Sequence, residues 1–207
     1  CMSIELAMSR RDLLKRSVVA GITGMGAFTF SAPLLASTGL LLPANYANQA
    51  DAAAFWAKPR VLNLYRPSTG EHKQICYWRD GHLDLAGYRE ACHMLRDVRA
   101  GKATEIDLRL LNLLRGQQGW LELAYGFKEP YQVNSGYRTK ETNEATEGAA
   151  RDSYHTKGQA CDGKFPSLPI EYQGRLMSAF RTGGVGFYIN RQKFIHSDVG
   201  RVRYWVR

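Results

Sequence analysis

Two stretches alternate apolar and polar residues in the strand manner, Arg60-Val61-Leu62-Asn63-Leu64-Tyr65 and Lys73-Gln74-Ile75-Cys76-Tyr77-Trp78. Pro67-Ser68-Thr69-Gly70 lies between them, so the pair predicts a β-hairpin. Downstream the apolar period lengthens. Asp84 is placed to cap a helix reaching to about Arg99, with Leu85, Tyr88, Cys92 and Leu95 on one face. A second helix, from about Glu105 to Leu123, turns Ile106, Leu110, Leu113 and Leu114 inward, and a third is expected from Pro169 to Arg181. The remaining apolar segments are short and broken by glycines: Tyr131 to Asn134, Ala160 to Phe165, Val185 to Ile189, Phe194 to Ser197 and Val202 to Val206. Helices come first and short strands gather later. That order predicts an α+β fold, a small antiparallel sheet with helices packed on one side, and not a doubly wound parallel sheet.

The front of the chain obeys neither period. Nothing between Arg16 and Asp51 is charged, although charges are spread evenly over the rest. Ser9-Arg10-Arg11-Asp12-Leu13-Leu14-Lys15 resembles the twin-arginine export signature and is followed by a moderately apolar stretch, Ser17 to Ala36. Residues 1–52 are therefore expected to be a leader and residues 53–207 the working domain. Ala50-Asp51-Ala52 offers a small-x-small cleavage site, and nearby alanines offer others. An uncleaved leader is long enough to anchor the protein in a membrane, but Gly21, Gly24, Gly26, Pro33 and Gly39 weaken that alternative. The expected destination is the periplasm or outer cell envelope.

The formal charge is +9, of which the leader supplies little: Arg10, Arg11, Lys15 and Arg16 stand against Glu5 and Asp12. A basic body suits an acidic polymer, either nucleic acid or an anionic cell wall. Its basic residues form no long runs, which disfavours nucleic acid. The four cysteines, Cys1, Cys76, Cys92 and Cys161, contain no CxxC pair, so a cysteine-built zinc site is not expected. Whether the three in the body form one disulfide or remain thiols is open at this level.

The stretch richest in chemistry is Ser153-Tyr154-His155-Thr156-Lys157-Gly158-Gln159-Ala160-Cys161-Asp162. A turn at Gly158 followed by a strand would let His155 and Asp162 converge. That spacing alone is common by chance. It gains meaning from Phe194-Ile195-His196-Ser197-Asp198, an apolar strand delivering another histidine, and from Ser135-Gly136-Tyr137-Arg138-Thr139 with Asn143 beyond it. Together these motifs resemble the zinc peptidases grouped with the D-Ala-D-Ala metallopeptidases and the hedgehog signalling domain, and within them the twin-arginine-exported murein endopeptidase K family. The resemblance runs from about Arg60 to Trp205. It includes Tyr65-Arg66-Pro67, Tyr77-Trp78-Arg79-Asp80-Gly81, Gly183-Gly184-Val185-Gly186-Phe187-Tyr188 and the closing Arg203-Tyr204-Trp205.

That resemblance implies metal ligands at His155, Asp162 and His196, a zinc cofactor, and peptidoglycan peptides as substrate. Two imidazoles and one carboxylate are three protein ligands, the number that leaves a tetrahedral zinc one open position for water. Cys161 would point to the opposite face of a strand and is a poor fourth ligand. The resemblance makes Arg138 the candidate catalytic electrophile, whose guanidinium fork suits a developing oxyanion. Several members of the resembled family carry a Glu or Asp three residues before the last ligand, where this chain has Lys193. Asp198 is the expected general base in its place, with orientation of a ligand as its other reading. His72, His82 and His93 match no ligand position. The expected activity is hydrolysis of murein peptide cross-links. A D-Ala-D-Ala carboxypeptidase and a non-catalytic wall-binding module are the alternatives, with membrane contact only through an uncleaved leader.

Overall fold

The computed structural model describes residues 54–190 and 193–207, so the leader expected over residues 1–52 lies outside the described residues. Strand β1 (Arg60–Arg66) and strand β2 (Glu71–Arg79) form the expected antiparallel hairpin, with Leu62, Leu64, Ile75 and Tyr77 buried. The two-residue strand β3 (His82–Leu83) folds back on β2. Helix α1 (Leu85–Met94) starts at Asp84, whose side chain accepts the Gly87 N–H. It buries Ala91, Cys92 and Met94 against β2. The expected inward face is wrong at Leu85, which is 59% exposed.

Helix α1 also stops short of Arg99. Just past its end the buried carboxylate of Asp97 accepts the backbone N–H groups of Arg99, Ala100 and Thr139. Those donors are satisfied by a side chain instead of a helical ladder, and the chain turns there. Helix α2 (Leu108–Tyr125) likewise begins later than the apolar period suggests. Asp107 caps it by accepting the Arg109 N–H, and Gly126 closes it in the left-handed conformation. It lies against β1, where the Gln118 amide accepts the Asn63 N–H and donates to the Asn63 carbonyl.

Strand β4 (Tyr131–Ser135) and strand β5 (Ala160–Lys164) pair antiparallel. Between them lie a short helix α3 (Lys140–Glu144) and a 3₁₀ turn (Tyr154–Lys157), neither of which the periodicity reveals. Helix α4 (Ile170–Ala179) precedes strands β6 (Gly184–Tyr188), β7 (Phe194–Asp198) and β8 (Arg203–Val206). The eight strands form one sheet in the order β3-β2-β1-β4-β5-β7-β6-β8. The α+β class holds, but the sheet is mixed: β1 with β4 and β6 with β8 run parallel. The first parallel pair needs a long crossover, which contains both α1 and α2.

Alternation along the late strands separates two jobs. Val185 and Ile195 pack with Leu113, Ile170 and Met177, so one face of β6 and β7 is closed by α2 and α4. Each such side chain contributes about 1.5–3 kcal/mol on full burial. The residues between them necessarily point to the other face. Among these is His196.

Candidate metal centre

Register places the expected ligands side by side. Asp162 on β5 pairs with His196 on β7, and Gly186 on β6 pairs with His196 from the other side. Directly paired residues share a face, so Asp162 and His196 both stand on the side away from the α4 core. His155 arrives from the 3₁₀ turn. Ser153 Oγ accepts the His155 N–H at the start of that turn, and Gly158 ends it at φ +64°. A Cβ at Gly158 would strike the Glu105 carbonyl, and its left-handed backbone favours glycine as well. From Gly158 the chain enters β5, and seven residues after His155 it delivers Asp162.

The three donor atoms form a tight triangle. His155 Nε2 lies 3.2 Å from Asp162 Oδ1 and 3.2 Å from His196 Nδ1, and His196 Nδ1 lies 2.8 Å from the same carboxylate oxygen. Ligands about 2.0–2.1 Å from a tetrahedral zinc stand roughly 3.3 Å apart, so the triangle is already near the size that zinc requires. His155, Asp162 and His196 are also the group of candidate metal-binding side chains found among the described residues, and all three are buried.

The remaining ring nitrogens decide whether those atoms can donate lone pairs. His155 Nδ1 lies 2.6 Å from the Gly136 carbonyl, which can only accept, so Nδ1 carries the proton and Nε2 is free to ligate. His196 Nε2 faces Asp198 Oδ2 at 3.0 Å, which puts its proton there and leaves Nδ1 free. In their neutral forms both rings would therefore aim lone pairs into the triangle. The donor set fits a metal ion.

The charges agree. Burial raises the Asp162 carboxyl, but the two imidazoles outweigh it and hold this group well below the usual range. Burial lowers His155. Burial also opposes charge on His196, yet the hydrogen bonds to Asp162 and Asp198 prevail and lift it to about 9. A metal bound here would displace a proton, so its uptake would release protons.

Arg138 joins the same site. Its backbone N–H donates to the His155 carbonyl, and its Nη2 lies 3.7 Å from Asp162 Oδ2. Its Nε is buried without a hydrogen-bond partner, and burial lowers the guanidinium pKa. Two residues along the same sheet face, Tyr188 and Phe194 stack at 4.3 Å with planes 13° apart.

Asp198 lies beneath this surface. It is 0% exposed, and both oxygens are fully engaged. Oδ1 accepts from Gly184 N, Gly200 N and Arg203 Nη1, while Oδ2 accepts from Arg203 Nη2 and faces His196 Nε2. Burial opposes its ionisation, but these donors hold it at about 2. Lys193 is exposed with φ 40°.

The residues set aside in the sequence lie elsewhere. His72 bonds Asn63, His93 faces Glu71, and His82 sits exposed on β3. Cys161 is buried on the core face, where burial raises its thiol pKa far out of reach of ionisation. Cys76, Cys92 and Cys161 are all free thiols. Sequence reasoning assigned no task to Arg203 or Trp205. The available signal was a matched spacing of two, Gly184 and Gly186 facing Arg203 and Trp205 across β6 and β8.

A family model described as peptidoglycan L,D-endopeptidase MepK matches residues 54–205. Peptidoglycan L,D-endopeptidase MepK of Escherichia coli K12 is 35% identical over 152 residues, covering 72% of this chain and 81% of that protein. The Shigella flexneri protein of the same name matches equally, and a probable one from Haemophilus influenzae is 30% identical over 152 residues, with 72% and 80% covered. The matched span contains β1 to β7, most of β8, helices α1 to α4 and the whole donor triangle, and the chain belongs to the peptidoglycan L,D-endopeptidase MepK family of M15 peptidases.

Proposed function

We propose that this protein is a zinc-dependent endopeptidase that hydrolyses peptide cross-links of peptidoglycan, at a bond joining an L to a D residue. The observation that carries the reading is the donor triangle, with both histidine tautomers fixed from behind. His155, Asp162 and His196 would hold a zinc ion, which when bound would supply Lewis acidity toward a peptide carbonyl and an acidified water. The names of the relatives support peptidoglycan as substrate and cleavage within its peptides.

The chain's own residues do the rest. Arg138 stands beside the ligand carboxylate with a buried, unpartnered Nε, and it offers donors to the oxygen that gains charge as the carbonyl is attacked. The Tyr188–Phe194 stack lies on the same face and offers a flat apolar surface to the substrate peptide. Asp198 takes the second of the two roles considered from sequence. A general base must come within hydrogen-bond reach of the proton it removes, and Asp198 has no exposed surface and no idle oxygen. It holds His196 in the ligating tautomer instead.

The leader reading places this activity in the periplasm or outer envelope, reached by the twin-arginine route. Arg10→Lys with Arg11→Lys is expected to leave precursor in the cytoplasm, and normal export of that variant would refute the route. The activity itself is tested by digesting purified sacculi and weighing the released muropeptides. Loss of cross-linked dimers, abolished by chelator and restored by zinc, is expected. Release of single D-alanines without loss of dimers would establish a carboxypeptidase instead.

A further inference from the structure

Strand β8 closes the sheet beside β6, yet two of its side chains reach past β6 to the residues of β7. Gly184 pairs with Arg203 and Gly186 with Trp205, so both side chains cross β6 where β6 has no side chain. A Cβ on Gly184 would lie 2.6 Å from Asp198 Oδ2, and one on Gly186 would lie 2.5 Å from the Trp205 ring. Either contact is closer than real atoms permit.

Arg203 uses this opening fully. Its Nη1 donates to Asp198 Oδ1 at 3.1 Å and its Nη2 to Oδ2 at 2.7 Å, a two-point fork on the carboxylate that holds His196 Nε2. The guanidinium is also sandwiched. Its central carbon lies 5.2 Å from the centroid of the Tyr154 ring and 5.0 Å from that of Trp205. Tyr154 adjoins His155 in the 3₁₀ turn, and the Trp205 ring lies 5.2 Å from the His196 ring. One cation thus ties together the supports of two ligands that arrive on different elements.

We infer that Arg203 is a positioning residue of the metal centre, acting through Asp198 on His196 and through Tyr154 on the turn that carries His155. The inference rests on the reading of the triangle as a metal site. Without Arg203, the Asp198 carboxylate would be buried with one imidazole and two backbone donors, free to rotate away from Nε2. The fork needs two donors in a plane and the sandwich needs a flat cation. Arginine meets both demands and lysine meets neither.

The test is zinc affinity, measured by competition with a chromogenic chelator on the full chain, for wild type, Arg203→Lys and Arg203→Met, with thermal unfolding of each zinc-free protein alongside. Loss of the support behind a ligand typically weakens metal binding by about 10–100-fold. We expect that range for both variants, lysine included, because it restores the charge but not the fork. Added to Asp198→Asn, Arg203→Lys should weaken zinc binding further by less than its own single effect, since both changes act on one chain of contacts. Should Arg203→Lys not fold, Tyr154→Leu removes one face of the sandwich and spares the ion pair. It is expected to weaken zinc by about 2–5-fold. Affinities within about twofold of wild type, with only the unfolding temperature lowered, would make Arg203 a strand-packing residue and overturn the inference. A wild-type protein that binds no zinc would overturn the metal reading itself.

Discussion

Replacing Asp198 by asparagine separates its two candidate roles, because the amide keeps the shape of the carboxylate and loses one acceptor. The native carboxylate meets donors on every side: Gly184 N, Gly200 N and both Arg203 terminal nitrogens, together with His196 Nε2. Asparagine has one accepting oxygen and one donating nitrogen. If its oxygen takes the place of Oδ1, its NH₂ faces His196 Nε2–H, donor against donor. His196 must then move its proton to Nδ1, the atom meant to ligate. If the oxygen takes the place of Oδ2, the buried N–H of Gly184 and the half-buried N–H of Gly200 lose their acceptor, at about 1–3 kcal/mol each. The second arrangement therefore costs about 2–6 kcal/mol, and the first removes a ligand and weakens zinc by about 10–100-fold. A drop of about 1 kcal/mol moves the midpoint of a domain this size by roughly 2–4 °C. Differential scanning calorimetry with chelator competition thus registers either outcome. A variant with wild-type midpoint and zinc affinity but no turnover would refute the reasoning and return Asp198 to the role of base.

Arg138→Ala is expected to keep zinc while turnover of a defined muropeptide falls by roughly 10²–10³, the usual effect of removing an oxyanion donor. Unchanged turnover would assign Arg138 to structure alone. Gly186→Ala should push the Trp205 ring off His196, costing about 1–3 kcal/mol by overpacking and altering tryptophan fluorescence; an unaltered spectrum and midpoint would contradict the close approach of β8. Hydrogen bonds from Arg96 and Thr69 hold the Glu71 carboxyl at about 2, below its ordinary 4.5. A depressed carboxylate pKa stabilises the fold above about pH 4.5, and that contribution disappears as pH falls toward 2. The midpoint difference between wild type and Glu71→Gln should therefore shrink across that window, and a constant difference would contradict the assignment.

Much of this protein is written in short-range pattern. The β1–β2 hairpin, the cap at Asp84 and the late strands follow from alternation, period and turn chemistry, which depend on residues within a few positions of one another. The motifs around His155, Asp162 and His196 nominated three side chains that the structure brings into one cluster. Register is a different matter. That Asp162 stands opposite His196, and Gly186 opposite both His196 and Trp205, is set by which strands pair across the whole sheet. No local period encodes it. The two parallel pairings were invisible for that reason, as was the end of α1 at Met94, short of Asp97, whose carboxylate accepts from Thr139 in another part of the chain. Asp198 shows the division most clearly. Its place two residues after His196 puts it on the correct face of β7, and sequence could go no further. Only the tertiary structure brings Gly184, Gly200 and Arg203 against it and buries it completely, the contacts on which the proposed histidine-holding role rests.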